Sequence, residues 1–138
     1  MSTIGQKVVI DTNVFLTILS KAGKNRWIFD KIITGELILC ISNDILMEYW
    51  EVISNKTSPD VALNVTNFLL IHPHVRLINV YIKWNLVEVD RDDNKFADCY
   101  LAANAVYLFT NDNHLLSLKS VVFPKINVLS IKEIDALR

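Results

Sequence analysis

Short runs of apolar, mostly β-branched residues recur along the chain and predict the strands of a sheet. Three are clear, at residues 7–10 (KVVI), 37–42 (LILCIS) and 105–110 (AVYLFT). Weaker runs occupy residues 75–80 (VRLINV) and 126–130 (INVLS). The three clear runs do not alternate apolar with polar residues, which is typical of strands buried on both faces of a parallel sheet.

Amphipathic segments with the 3.6-residue period lie between these runs and predict helices. Residues 42–55 place apolar side chains on one face and begin at Ser42, a plausible N-cap. Ser58 followed by Pro59 opens a second helix, and a third spans residues 94–105. Strands that alternate with helices predict an α/β fold with a mainly parallel sheet. A chain of 138 residues fits one domain, so we expect a single domain over 1–138.

Composition narrows the class of protein further. A hydrophobic content of 51% is enough for a core without disulfides or structural metal, and the two cysteines stand in no zinc-binding spacing. The net charge of −1 predicts no strong nonspecific attraction to nucleic acid. The N-terminus lacks the apolar stretch of a signal peptide, and no apolar run is long enough to span a membrane. We therefore expect a cytoplasmic protein with no membrane contact.

Acidic residues stand where predicted strands and helices begin or end. Asp11 follows the first strand and Asp112 follows the fourth, so both belong to the edge of a parallel sheet where ligands gather. Asp90, Asp92 and Asp93 crowd into four residues before a predicted helix. Capping of that helix explains one of them, with Asp93 the natural cap, but three acids repel one another unless a cation is near.

The helix that starts after Ser42 supplies a further carboxylate. With Ile45 at 0° and about 100° per residue, Glu48 falls at about 300°, at the border of the apolar face. Asp44 and Glu51 point further toward solvent. Like charges about 4 Å apart cost about 4 kcal/mol per pair at an effective dielectric near 20, so acids that converge on one cleft predict a bound divalent cation. An all-oxygen site favours Mg²⁺ or Mn²⁺.

With these residues in view, the chain resembles the PIN-domain nucleases, and most of all the branch that contains the toxins of toxin–antitoxin modules. Three segments carry the resemblance in the family's order: VVIDTNVFLTIL, ISNDILMEYWEVI and DRDDNKFADCYLAANAVYLFTNDNHLL. The resemblance selects Asp93 from its cluster and assigns catalysis and metal binding to four residues, which we call the acidic quartet: Asp11, Glu48, Asp93 and Asp112. It also implies supporting roles for Asn13 and Thr110, and a possible further metal ligand in Asp98.

This resemblance implies a fold, an activity and partners. The fold is a three-layer α/β/α domain whose parallel sheet has the strand order 3-2-1-4-5. The activity is metal-dependent endoribonucleolytic cleavage of RNA, with Mg²⁺ or Mn²⁺ as cofactor. The partners are a cognate antitoxin protein and a second copy of the chain in a homodimer.

Several residues and functions remain open at this level. Lys24 and Arg26 form a small basic patch that would suit RNA phosphates, although a solvated helix start explains them as well. Trp84 would stack a base or pack against protein. The three histidines share no spacing, which favours structural roles. Two alternative functions keep the same fold: a structure-specific DNA nuclease and a non-catalytic PIN-like interaction module.

Overall fold

A computed structural model describes residues 5–138, so residues 1–4 of the predicted domain, where part of the N-terminal signal was sought, lie outside the described range. The structure contains five strands, seven α-helices and two 3₁₀ turns within that range. In chain order these are β1 (Gln6–Ile10), α1 (Thr12–Leu19), α2 (Arg26–Thr34), β2 (Leu37–Ile41), α3 (Asn43–Lys56), α4 (Pro59–Ile71), β3 (Val75–Leu77), a 3₁₀ turn (Arg91–Asp93), α5 (Asn94–Ala103), β4 (Tyr107–Phe109), α6 (Asn113–Leu116), a 3₁₀ turn (Ser117–Ser120), β5 (Val128–Leu129) and α7 (Ile131–Asp135).

The five strands form one sheet in the order β3-β2-β1-β4-β5, and every neighbouring pair is parallel. This confirms the predicted fold class and strand order. Parallel neighbours need crossover connections, and here helices provide them. All five residues of β2 are buried, because helices cover both faces of the central strands.

The capped helices begin where the sequence indicated. Ser42 caps α3 by accepting the N–H of Ile45, and Ser58 caps α4 by accepting the N–H of Val61, with Pro59 in the first turn. The two weaker strands are shorter than predicted: β3 ends at Leu77 and β5 has only two residues. Both lie at edges of the sheet, where only one neighbouring strand supplies hydrogen bonds.

The register of β1 and β4 decides where the acids lie. Ile10 pairs with Phe109, so the next residues, Asp11 and Thr110, leave the sheet side by side. The N–H of Asp11 still donates to the carbonyl of Phe109 at 3.0 Å. The carboxyl ends of two central strands therefore present their polar residues at one edge. Among residues 5–138, no helix is long and apolar enough to cross a membrane.

Candidate active site

One cavity at the carboxyl edge of the sheet is lined by all four members of the acidic quartet, and we call it the acid cavity. Its volume is about 300 Å³. Each acid comes from a different part of the fold: Asp11 follows β1, Glu48 lies on α3, Asp93 precedes α5 and Asp112 follows β4. The exposed Asn13 also lines it, beside Thr12, Val52, Asp90, Asp92 and Phe96. The fold thus brings together residues up to a hundred positions apart.

Asp11 is buried and held by hydrogen bonds on both oxygens. Its Oδ1 accepts the N–H of Val14 at 2.9 Å, which makes Asp11 the N-cap of α1. Its Oδ2 accepts a hydrogen bond from the hydroxyl of Thr110. Burial raises the pKa of Asp11, the two hydrogen bonds oppose that rise, and the charges of Asp112 and Glu48 add to it.

Thr110 joins the two acids at the strand ends. It is fully buried, and its hydroxyl oxygen accepts the N–H of Asp112 at 2.9 Å while it donates to Asp11. Asp112 in turn caps α6, because its Oδ1 accepts the N–H groups of His114 at 2.8 Å and Leu115 at 3.2 Å. Asp112 Oδ1 accepts both bonds, so Oδ2 of the same carboxylate remains available for other contacts. Asp112 therefore combines a structural contact with a place in the cavity.

Glu48 is held against the sheet by the residue that follows it. The Tyr49 ring is fully buried and stacks on Phe15 at 4.1 Å, and its hydroxyl donates to the carbonyl of Ile10, next to Asp11. Glu48 itself accepts a hydrogen bond from the Thr12 hydroxyl and forms an ion pair with Lys95, with Nζ and Oε1 2.9 Å apart. Both of its oxygens are therefore occupied.

Asp93 differs from the other three acids because its carboxylate has little support. It stands at the N-terminus of α5 in a helical backbone conformation and makes no capping hydrogen bond with its side chain, so helix capping does not explain it. Its Oδ2 is buried and has no hydrogen-bond partner. Burial, followed by the charges of Asp112 and Asp90, raises the pKa of Asp93 to about 6.

His114 and Asp90 both lie close to Asp93. His114 Nδ1 is 3.7 Å from Asp93 Oδ2 and 3.8 Å from Asp112 Oδ1, and it too is buried without a hydrogen-bond partner. Single ligand atoms of Asp90, Asp93 and His114 all lie within 4.8 Å of one another. Sequence reasoning did not assign these two residues to the site.

The donor set fits a divalent cation. Carboxylates that share one cavity repel one another, and a buried carboxylate oxygen without a partner is costly unless a cation or a proton meets it. Asp93 Oδ2 is such an oxygen, and further carboxylates surround it. Oxygen ligands of this kind suit Mg²⁺ or Mn²⁺.

Other residues singled out in the sequence lie apart from the acid cavity. Asp98 lines an adjoining cavity of about 520 Å³, and its Oδ1 accepts the backbone N–H of Trp84 at 3.0 Å. Arg26 donates to the carbonyl of Leu19, pairs with Asp30 and covers the ring of Phe29. Lys24 is exposed beyond the C-terminal end of α1, whereas Asp11 caps its N-terminal end. The structure therefore does not bring these side chains to the quartet.

Sequence reasoning missed Thr12, Lys95, Asp90 and His114. The sequence contains a local indication for two of them, because Asp90 belongs to the acid cluster and His114 follows Asp112 by two residues. Thr12 and Lys95 contact Glu48, which is 36 and 47 residues away in the sequence. No local sequence pattern predicts contacts between residues so far apart in the chain.

The parallel α/β fold and the acid cavity agree with the protein family that the sequence matches. The family model described as PIN domain matches residues 7–114, which is most of the chain. The chain belongs to the PIN-domain family, as the sequence resemblance implied. No curated protein matches the chain significantly.

Solved structures similar to this chain include VapC proteins. VapBC2 from Rickettsia felis, bound to a DNA fragment from its promoter, is 15% identical with a TM-score of 0.63, over 90% of this chain and 98% of that one. DNA-bound VapBC from Salmonella typhimurium is 17% identical with a TM-score of 0.59, over 91% and 98%. VapC20 from Mycobacterium tuberculosis, a sarcin–ricin loop cleaving toxin, is 11% identical with a TM-score of 0.56, over 80% and 94%. At these identities the likeness concerns the fold.

Proposed function

We propose that this chain is a metal-dependent endoribonuclease that hydrolyses RNA phosphodiester bonds and acts as the toxin of a toxin–antitoxin pair. The observation that carries the proposal is the acid cavity, which the complete quartet lines and in which Asp93 Oδ2 is buried without a partner. Membership of the PIN-domain family supports nuclease activity. We assign catalysis and metal binding to Asp11, Glu48, Asp93 and Asp112.

We propose different roles for the residues in and around the cavity. Asp93, with Asp112, would hold Mg²⁺ or Mn²⁺, which when bound supplies an activated water and neutralises charge on the phosphate. Thr110 fixes the relative positions of Asp11 and Asp112 by bonding to both. Lys95 offsets the charge of Glu48 and lies at the border with the adjoining cavity, where a phosphate of the substrate would meet a cation.

Contacts to the substrate are proposed outside the acid cavity. The exposed Trp84 packs edge-on against Phe123, with ring centroids 6.4 Å apart, and both rings keep surface open to a base. The backbone of Trp84 is tied to Asp98 on α5, the helix that Asp93 precedes. Trp84 is therefore better supported as a substrate contact than Lys24 or Arg26.

The proposed function also includes a partner protein and a cellular location. Two of the similar structures are VapBC complexes, which supports an antitoxin as the partner of this chain. VapC20 is a cleaving toxin, which supports the toxin role. We propose in addition a homodimer and action on RNA in the cytoplasm.

Cleavage of labelled RNA by the purified chain tests the proposal. We expect cleavage with Mn²⁺ or Mg²⁺, none in EDTA, and recovery when metal is restored. Asp93→Asn should reduce the rate at least about a thousandfold, since it removes a proposed ligand. Asp60→Asn, an exposed acid in the first turn of α4, is the matched control and should leave the rate unchanged.

Three outcomes would contradict the proposal. Cleavage that persists undiminished in EDTA excludes the metal mechanism. Cleavage of branched DNA but not of RNA moves the chain to the structure-specific DNA nucleases. Metal-loaded, folded protein that cleaves neither is a PIN-like interaction module.

A further inference from the structure

The buried Nδ1 of His114 lies close to two members of the acidic quartet, Asp93 and Asp112. Nδ1 lies 3.7 Å from Asp93 Oδ2 and 3.8 Å from Asp112 Oδ1. The backbone of His114 is fixed there, because its N–H donates to Asp112 at 2.8 Å. Asp90 completes a group of three ligand atoms within 4.8 Å of one another. This group draws on the turn before α5 and on α6, two elements that meet only in the folded chain.

Asp90 Oδ1 accepts the N–H of Asp92 at 3.1 Å, but hydrogen bonding does not account for the approach of His114 Nδ1 to the two aspartates. Separations of 3.7 and 3.8 Å are too long for a hydrogen bond. His114 Nδ1 and Asp93 Oδ2 are both buried without a partner. Buried polar atoms are nearly always paired, so two unpaired atoms that face each other need either a proton on His114, which makes an ion pair, or a cation bound between them.

The spacing suits a common ion. Two ligand atoms that each lie about 2.1 Å from one ion are about 3.0 Å apart at a right angle and about 4.2 Å apart when opposite. The separations of His114 Nδ1 from Asp93 Oδ2 and Asp112 Oδ1 fall inside that interval, and Asp90 offers an oxygen within 4.8 Å of the ligand atoms of Asp93 and His114. Carboxylate oxygens and one imidazole nitrogen together form a mixed oxygen and nitrogen donor set.

The other two histidines have ordinary packing roles. The ring of His72 packs against Phe68 and His74, and its Nδ1 accepts the N–H of His74 at 3.1 Å. His74 Nδ1 lies 3.1 Å from the carbonyl of Ile33. His114 is thus the histidine whose buried nitrogen lacks a partner among the described residues.

We propose that His114 and Asp90 join Asp93 as ligands of the metal ion, so that the chain selects Mn²⁺ over Mg²⁺. The inference rests on the metal site of the proposed function and extends it to two residues outside the quartet. Imidazole is a ligand for first-row transition ions, whereas Mg²⁺ prefers oxygen ligands and keeps its waters. A nitrogen ligand therefore adds more to the affinity for Mn²⁺ than to that for Mg²⁺.

Mn²⁺ binding, followed by electron paramagnetic resonance without RNA, tests this assignment. We expect saturable binding, a ¹⁴N modulation in the spin echo of the bound ion, and displacement by Mg²⁺ only at high concentration. His114→Gln should abolish the modulation and weaken Mn²⁺ binding by about tenfold or more, with less than about a threefold change for Mg²⁺. His114→Asn is the second variant, in case the first does not fold.

Matched controls separate ligation from charge and from general damage. His72→Gln removes a histidine far from the cavity and should keep both the modulation and the affinity. Asp90→Asn should weaken Mn²⁺ binding by about tenfold, whereas Asp60→Asn removes the same charge outside the cavity, in the first turn of α4, and should change it by less than about threefold. A thermal melt in EDTA verifies that each variant is folded.

The outcomes distinguish this inference from the proposed function. A ¹⁴N modulation that persists in both folded His114 variants, or an unchanged ratio of Mn²⁺ to Mg²⁺ affinity, overturns the ligand role while RNA cleavage stands. Mn²⁺ bound through His114 in a chain that cleaves no RNA confirms the site and refutes the ribonuclease. Wild-type protein that binds neither ion overturns both.

Discussion

The two ends of the acid cavity are built differently. At one end, which we call the paired half, Asp11 and Glu48 have every oxygen engaged by Thr12, Thr110, Lys95 or the N–H of Val14. At the other, the unpaired half, Asp93 and His114 each leave a buried atom without a partner beside Asp90. The protein thus supplies partners for the acids of the paired half, whereas two buried atoms of the unpaired half receive none from the described residues.

The largest effect is expected in the paired half. Thr110→Val keeps the shape of this fully buried residue but removes its bonds to Asp11 and to the N–H of Asp112. Two buried polar groups lose their partner, so the free energy of unfolding should fall by about 3 kcal/mol in urea denaturation.

Thr66→Val provides the control for that substitution. Thr66 is also buried, but its hydroxyl bonds only to carbonyls of its own helix, α4. We expect a loss of about 1 kcal/mol or less. Equal losses for the two variants would mean that Thr110 does not organise the acids.

Asp93→Asn should act in the opposite direction and stabilise the metal-free protein. The pKa of Asp93 in the folded state, about 6, lies above its ordinary value of 3.8, so the native state holds the proton more tightly than the unfolded chain. The free energy of unfolding of the wild type therefore falls as pH rises from about 3.8 through about 6. The variant has no carboxylate at this position, so its free energy of unfolding should exceed that of the wild type by about 2 kcal/mol at pH 8. The difference should disappear near pH 4.

Melts in EDTA at both pH values measure this difference. Added Mn²⁺ should narrow it, because the wild type binds the ion and the variant binds it less. A variant that melts lower than the wild type at pH 8 would show that Asp93 is a structural acid and would remove the contrast between the two halves.

Lys95→Met gives a smaller effect. It removes the cation 2.9 Å from Glu48, in a pair whose side chains are 18% and 25% exposed. We expect the metal-free protein to lose about 1 kcal/mol and to bind Mn²⁺ several times more tightly, because Glu48 then lacks its cation. Lys31→Met, which breaks a more exposed pair with Glu36, should have almost no effect on stability. Unchanged Mn²⁺ binding in Lys95→Met would place Glu48 outside the reach of the ion.

The smallest effect is expected for Asp98→Asn. The asparagine retains an oxygen to accept the N–H of Trp84, and the side chain lies outside the acid cavity. Mn²⁺ affinity should change by less than about twofold. A loss of about tenfold would instead support the metal-ligand role that the family resemblance suggests for Asp98.

Much of the scaffold was predictable because its signals are local. The apolar runs that became β1, β2 and β4 are continuous in the sequence, and Ser42 and Ser58 mark helix starts through bonds to residues three positions on. Asp11 and Asp112, which line the acid cavity, were predictable there because polar residues that follow a buried parallel strand lie at the carboxyl edge of the sheet. Helical periodicity placed Glu48 at the border of the apolar face.

The sequence by itself determined the α/β class, the helix starts and, through its motifs, the acidic quartet, since each depends on neighbours along the chain. Only the tertiary structure decided which acids are paired. Thr12 meets Glu48 over 36 residues, Lys95 over 47, and Thr110 meets Asp11 over 99. Hydrogen bonds and charge interactions act over a few ångströms in space, and the packing of α3, α5 and α6 around the sheet edge sets those distances. For the same reason the burial of His114 Nδ1 could not be predicted from the sequence.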